Sequence, residues 1–172
     1  MPQSTAKLYV SAVNVSSNGP DQQKYATIHF NVVYSSKFNT EDNSFWRATP
    51  NGSLKLQGKY EILERFCQPG KRFYLHIERM ALPEELRSAS HKDKFQWIVG
   101  YERETHPADG VMKYARVVNI GYEGAERLNV RMVNMQADIS LSIDNARAWG
   151  LYEDGLYAVM KYEFEEAGEE PV

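Results

Sequence analysis

The sequence predicts a mainly β protein with one or two short helices, built either as two small similar β units or as one β-sandwich or barrel. Three observations predict it. Eleven tyrosines and an aromatic content of 12% favour strands, because rings and β-branched side chains pack well on a pleated, half-buried surface. Apolar residues recur with period two through most segments. Helical periodicity sustained beyond about two turns is missing.

The elements follow in order. In KLYVSAVNV, residues 7–15, Leu8, Val10 and Ala12 share one face and Tyr9, Ser11 and Val13 the other. The turn formers SSNGPDQQ, 16–23, lead into KYATIHFNVVY, 24–34, where Ile28, Phe30 and Val32 alternate with Thr27, His29 and Asn31. Residues 35–44, SSKFNTEDNS, read as a polar loop, and FWRA, the turn TPNG and the short strand SLKLQ come next. KYEILERF suits one or two helical turns ended by PGK, and KRFYLHIERM, 71–80, is a strand. ALPEELRSASHKDK, 81–94, is a short helix or a linker, since Pro83 followed by Glu84 and Glu85 fits a first helical turn. FQWIVGYE, KYARVVNIGYE, RLNVRMV, ADISLSI and LYAVMKYEF are strands, with a helix of about two turns over DNARAWG, from Asp144 to Gly150.

An internal echo runs through this order. Residues 52–78 slide onto 137–163 without a gap at an offset of 85, placing Leu54 on Ile139, Leu56 on Leu141, Gly70 on Gly155, Leu75 on Met160 and Glu78 on Glu163. A duplicated strand–helix–strand unit explains the gapless match, and one continuous sandwich is the competing account. The division drawn is an N-terminal unit over 1–80, a connection over 81–94 and a C-terminal unit over 95–172. Charge follows the same division: residues 1–80 carry ten Lys and Arg against six Asp and Glu, and residues 81–172 carry ten against seventeen. A basic half and an acidic half suit either anion binding or head-to-tail pairing of copies.

Several function classes lose support at this stage. The lone Cys67 has no partner for a disulfide or a zinc pair, which fits a reducing compartment. The four histidines lack metal-ligand spacing, and His29 and His76 read as surface or cross-strand residues. The trio Glu104, His106 and Asp109 lies in ETHPADG, whose Pro107 and Gly110 mark a turn. No phosphate-cradling glycine loop, nucleophile elbow or metalloprotease motif is present. The expectation is a protein that is not an enzyme, without catalytic residues, metal or cofactor. No signal-like opening and no run of about 20 apolar residues appears, so the expectation is a cytoplasmic protein away from membranes.

The line FWRATPNGSLKLQ followed by PGKRFYLHIE resembles a pattern in small β-rich proteins of tailed bacteriophages. There a tryptophan precedes an ATPSG-type turn, a short alternating strand and a PGKEYY-type strand. Trp46, Ala48, Thr49, Pro50, Gly52, Leu54, Leu56, Pro69, Gly70, Lys71, Phe73 and Tyr74 match it. The resemblance covers about residues 28–78 and departs at Asn51 and Arg72, where the pattern has serine and an acid. It implies a phage protein in the host cytoplasm or the virion and assigns no catalytic residue.

Three functional expectations follow. The first is a virion component, capsid-associated or of the tail, that binds other phage or host proteins. It would self-associate head to tail through Glu165, Glu166, Glu169 and Glu170. The second is a single-stranded DNA-binding protein on an OB-type barrel, using Trp46, Arg47, Lys71, Arg72 and Tyr74 to stack bases and follow phosphates. The third is an inhibitor of a host defence system that presents its acidic half as a nucleic-acid mimic.

Overall fold

Eight antiparallel strands close into one barrel in the order β1-β2-β3-β7-β6-β5-β8-β4. They are β1 (Gln3–Asn18), β2 (Gln23–Val32), β3 (Asn51–Lys59), β4 (Arg72–Met80), β5 (Tyr114–Glu123), β6 (Arg127–Val133), β7 (Ala137–Ile143) and β8 (Val159–Ala167). Among the described residues three helices accompany them: α1 (Glu41–Ala48), α2 (Tyr60–Leu63) and α3 (His91–Thr105). This computed structural model describes residues 3–18, 20, 22–105, 114–123, 127–143 and 157–168. The helix expected over DNARAWG and the residues His106 and Asp109 lie outside them.

Alternation fills the barrel. Leu8 and Val10, Ile28 and Phe30, Leu54 and Leu56, Phe73, Leu75 and Ile77 point inward from the first four strands. Val117, Leu128, Val130, Met132, Ile139, Leu141, Met160 and Tyr162 meet them from the other four. An eight-stranded barrel is just narrow enough for side chains to fill. At one place four rings close it: Phe30, Phe66, Phe73 and Phe164 lie with centroids 4.9–6.2 Å apart. Phe66 comes from the 3-10 turn Glu64–Phe66 that follows α2, so the helical turns expected in KYEILERF serve to plug the core. Gly70, at φ +87°, makes the turn back into β4, a conformation that disfavours other residues.

The two halves of the chain interlock, since β3 bonds to β7 and β4 to β8. Each half runs its strands in the same order, β4-β1-β2-β3 and β8-β5-β6-β7. Leu54 faces Ile139 at one junction and Ile77 faces Tyr162 at the other, and both pairs are separated by the offset of 85 seen in the sequence. Where two equivalent antiparallel strands meet, only the residue on the local two-fold axis faces its own counterpart. Both junctions therefore define one pseudo-two-fold axis. A register shift also recurs, between Val10 and Ala12 in β1 and between Val117 and Asn119 in β5. The β5–β8 junction departs from the symmetry: the bond from Val117 N goes to Ala158 O, whereas that from Val10 N goes to Lys71 O.

Two expectations are corrected. FQWIVGYE is helix rather than strand, because Ser90 caps α3: its Oγ accepts from Asp93 N at 3.2 Å and its carbonyl from Lys94 N at 3.1 Å. Within α3, Trp97 and Tyr101 stack at 5.1 Å one turn apart and Ile98 is buried. The polar loop over 35–44 gives way at Glu41 to α1, capped by Thr40, whose Oγ1 accepts from Asn43 N at 3.2 Å. The connection 81–94 holds a 3-10 turn, Glu84–Leu86, and the start of α3.

Candidate functional site

The β6–β7 hairpin closes through residues 134–136, where Asn134 Oδ1 accepts from Gln136 N at 2.8 Å and Ala137 N at 2.7 Å. Its counterpart between β2 and β3 spends residues 33–50 on the same task and builds α1 there. The other half closes the equivalent turn without such an insertion. Surface additions on a rigid scaffold are where binding functions concentrate.

The insertion is internally braced. Thr40 Oγ1 donates to Lys37 O at 2.7 Å, and Asn43 Nδ2 donates to Ser35 O at 2.7 Å. Asn39 takes φ 64°, a left-handed position that asparagine tolerates. Thr49 N returns to Phe45 O at 2.8 Å and ends the helix.

Ions dock α1 on the barrel. The outer wall of β1 and β4 presents Lys7 opposite Tyr74 and Tyr9 opposite Arg72. Lys7, whose side chain has 0% exposure, places Nζ 2.7 Å from Glu41 Oε2 and 2.5 Å from Asp42 Oδ1. The other oxygen of the buried Asp42 accepts from the Arg72 guanidinium. Tyr74 donates its hydroxyl to Glu41 Oε1 at 2.6 Å, and its ring lies 5.7 Å from Phe45. Burial works against charge on Lys7, but its bonds to Asp42 and Glu41 outweigh burial and hold its pKa above the ordinary value. The bonds from Lys7 and Tyr74 hold Glu41 below the usual carboxylate range, and the Glu41 bond raises the Tyr74 phenol. Such a cluster fixes one docking geometry, since buried ion pairs gain little net stability over apolar contacts yet tolerate no missing partner.

Above this anchor the insertion presents rings and cations. Tyr34 is 67% exposed and Phe38 79% exposed. Tyr34 meets Trp46 edge to face at 4.9 Å. Lys37 and Arg47 are exposed on the same insertion, and a shallow polar depression lined by Asn39, Thr40, Glu41, Ser44 and Arg47 runs along α1.

The residues named from sequence separate here. Trp46 and Arg47 belong to this surface. Arg72 and Tyr74 lie beneath it as docking partners. Lys71 pairs with Glu166 at 2.8 Å on the β4–β8 wall. Glu165 meets His76 Nε2 at 2.7 Å, and His76 Nδ1 lies 2.9 Å from Thr5 Oγ1, which makes His76 a cross-strand residue. Glu165 and Glu166 therefore already have partners in their own chain, while Glu169 and Glu170 lie outside the described residues. Cys67 is a free thiol raised by burial and by Glu64, its Sγ donating to Leu63 O at 3.4 Å. Among the described residues no helix is long and apolar enough to cross a membrane, and no His, Cys, Asp and Glu group is placed to hold a metal.

Sequence reasoning missed Phe38 and Lys7 as members of this site. Lys7 and its partners are separated by more than thirty positions, and nothing local in KLYV announces them. Fold and site together define a closed β-barrel that carries an ion-docked helical insertion. No protein-family model and no curated protein matches the chain.

Proposed function

We propose that this is a non-enzymatic binding protein that engages another protein through the insertion 33–50. One observation carries the reading: a segment that the equivalent turn of the other half lacks is held rigidly by buried ions and offers Tyr34 and Phe38 to solvent. Rigid exposed aromatics supply large contact area at low entropic cost, and the flanking Lys37 and Arg47 favour an acidic rim on the partner. The acids of the insertion do not oppose this, because Lys7 and Arg72 neutralise Glu41 and Asp42 from below. The resemblance of residues 28–78 to tailed-phage proteins supports a virion protein as that partner. The role is then that of a capsid-associated or tail component.

A photo-crosslinking side chain at position 38, compared with one at Lys24, tests the reading in cells that make the protein. A discrete protein adduct from position 38 alone, lost on Tyr34→Ser, is expected. Equal adducts from both positions would sink it.

Single-stranded DNA binding is the second reading, favoured by Tyr34, Phe38 and Trp46 lying with Lys37 and Arg47 on one insertion. It is weaker because carboxylates already hold Lys71 and Arg72. Labelled oligo-thymidine separates the two: binding that falls steeply with salt would replace the protein partner with nucleic acid.

A further inference from the structure

A second polar surface lies elsewhere on the barrel, on the outer wall where β3, β7, β6 and β5 run side by side. Asn51, Ser53, Ser140, Ser142, Asn129 and Asn119 line a depression of about 480 Å³ there, within the size class of small-molecule sites. Register explains the assembly. Asn51 and Asn129 both pair with Ser142 from opposite sides, and Ser53 and Arg131 both pair with Ser140. Asn119 stands opposite Arg131. Two rows result: Asn51, Ser142 and Asn129 across three strands, and Ser53, Ser140, Arg131 and Asn119 across four, with Val130 and Leu141 also lining the depression.

One member is unusual. Ser142 points to the outer face, yet it is only 6% exposed and its Oγ has no hydrogen-bond partner. A buried hydroxyl without a partner keeps its full desolvation penalty, so it calls for an explanation such as a ligand.

The donor set narrows the ligand. Three carboxamides and three hydroxyls each donate and accept, as vicinal hydroxyls on a neutral ligand require. Arg131, the one cation among the described lining residues, is already bidentate to Asp138, with Nε–Oδ1 at 3.1 Å and Nη2–Oδ2 at 2.8 Å, so an anion would find no free charge at that guanidinium. Among the described residues no aromatic ring lines the depression, which argues against a nucleobase. From this the geometry points to a neutral saccharide bound across β3, β7, β6 and β5, with Ser142 Oγ completing its hydrogen bonding on the ligand.

The test is a ¹H–¹⁵N titration of the full chain with chitotriose, cellotriose and maltotriose, each to about 10 mM, tenfold above a Kd of about 1 mM. At least one is expected to shift the side-chain amides of Asn51, Asn119 and Asn129 and the backbone of Ser140 and Ser142. Ser142→Ala should weaken that binding about tenfold, the equivalent of one hydrogen bond, while leaving the barrel spectrum intact. Three results each overturn the assignment. They are no localised shift with any of the three, shifts centred on Tyr34 and Phe38 instead, and undiminished binding by Ser142→Ala. Inorganic phosphate producing the same shifts would also overturn it, by showing an anion site.

Discussion

Removing Asp42 is the sharpest perturbation of the docking cluster. Asp42→Ala takes away a buried carboxylate that meets Lys7 on one oxygen and Arg72 on the other. Lys7 then keeps only Glu41, whose side chain is half exposed. Breaking a buried pair from one side costs about 3–5 kcal/mol, because the surviving charge stays desolvated. At this chain length that corresponds to a fall in Tm of about 6–20 °C. Lys7→Met should be similar, whereas Glu41→Gln removes an exposed partner and should cost about 1 kcal/mol or less. The loss has a ceiling. If α1 leaves the wall, Lys7 and Arg72 regain water and the barrel stays closed, so the penalty saturates at the free energy of docking. Chemical denaturation with hydrogen exchange reads both levels. Exchange should rise at Ser44–Ala48 in Asp42→Ala while the strand amides of β5–β7 stay protected. Equal costs for Glu41→Gln and Asp42→Ala, or uniform deprotection of the barrel, would refute the argument.

Three further predictions concern stability and assembly. Glu41 sits below its ordinary 4.5, so its contribution is present above that pH and lost as pH falls through the lower folded value. Lys7 sits above its ordinary 10.5, so its contribution is present below that pH and lost as pH rises through the higher folded value. The Glu41 and Lys7 contributions should therefore be constant between these limits; the Tm profile should fall on both sides, its alkaline fall beginning with the raised Cys67 and Tyr74 before Lys7 titrates, and its acid limb should be shallower in Glu41→Gln. Gly52→Ala would place a Cβ 2.8 Å from both Leu141 Cδ2 and Val32 Cγ1, and overpacking of this kind costs about 1–3 kcal/mol in denaturant melts. Reversing Glu165 and Glu166 to lysine should leave the sedimentation mass unchanged, because both already pair within the chain. A lower mass would restore a head-to-tail role for them.

The strands were legible because their signal is local. RLNVRMV and ADISLSI coincide with β6 and β7, and their alternation needs no knowledge of a partner. The offset of 85 was legible too, and its meaning came from the pairing of Leu54 with Ile139 and Ile77 with Tyr162. α3 was missed because WIVGY is rich in strand formers, although SHKD before it carries a cap and an acid at helix spacing. α1 was missed for a related reason. Thr40 with Glu41 and Asp42 is a helix start, but polar residues at a cap also read as loop. The docking cluster was not legible at all. It joins Lys7 to Glu41, Asp42, Arg72 and Tyr74 through the β1–β4 pairing, and a sequence gives no register between strands so far apart. That same pairing turned Arg72 and Tyr74 from expected ligand contacts into supports.

The claim that the insertion is dispensable to the barrel and serves binding is tested most directly by exchanging it for the minimal hairpin of the other half. Residues 34–50 would be replaced with the Asn-Met-Gln-Ala turn of residues 134–137, joining Val33 to Asn51 as Val133 is joined to Asp138. Lys7, Arg72 and Tyr74 then face water, so no charge is left buried. A ¹H–¹⁵N spectrum in which β5–β7 amides keep their positions is the predicted result. A collapsed, unfolded spectrum would show that the insertion is part of the barrel's own stability, and the account would fail at its base.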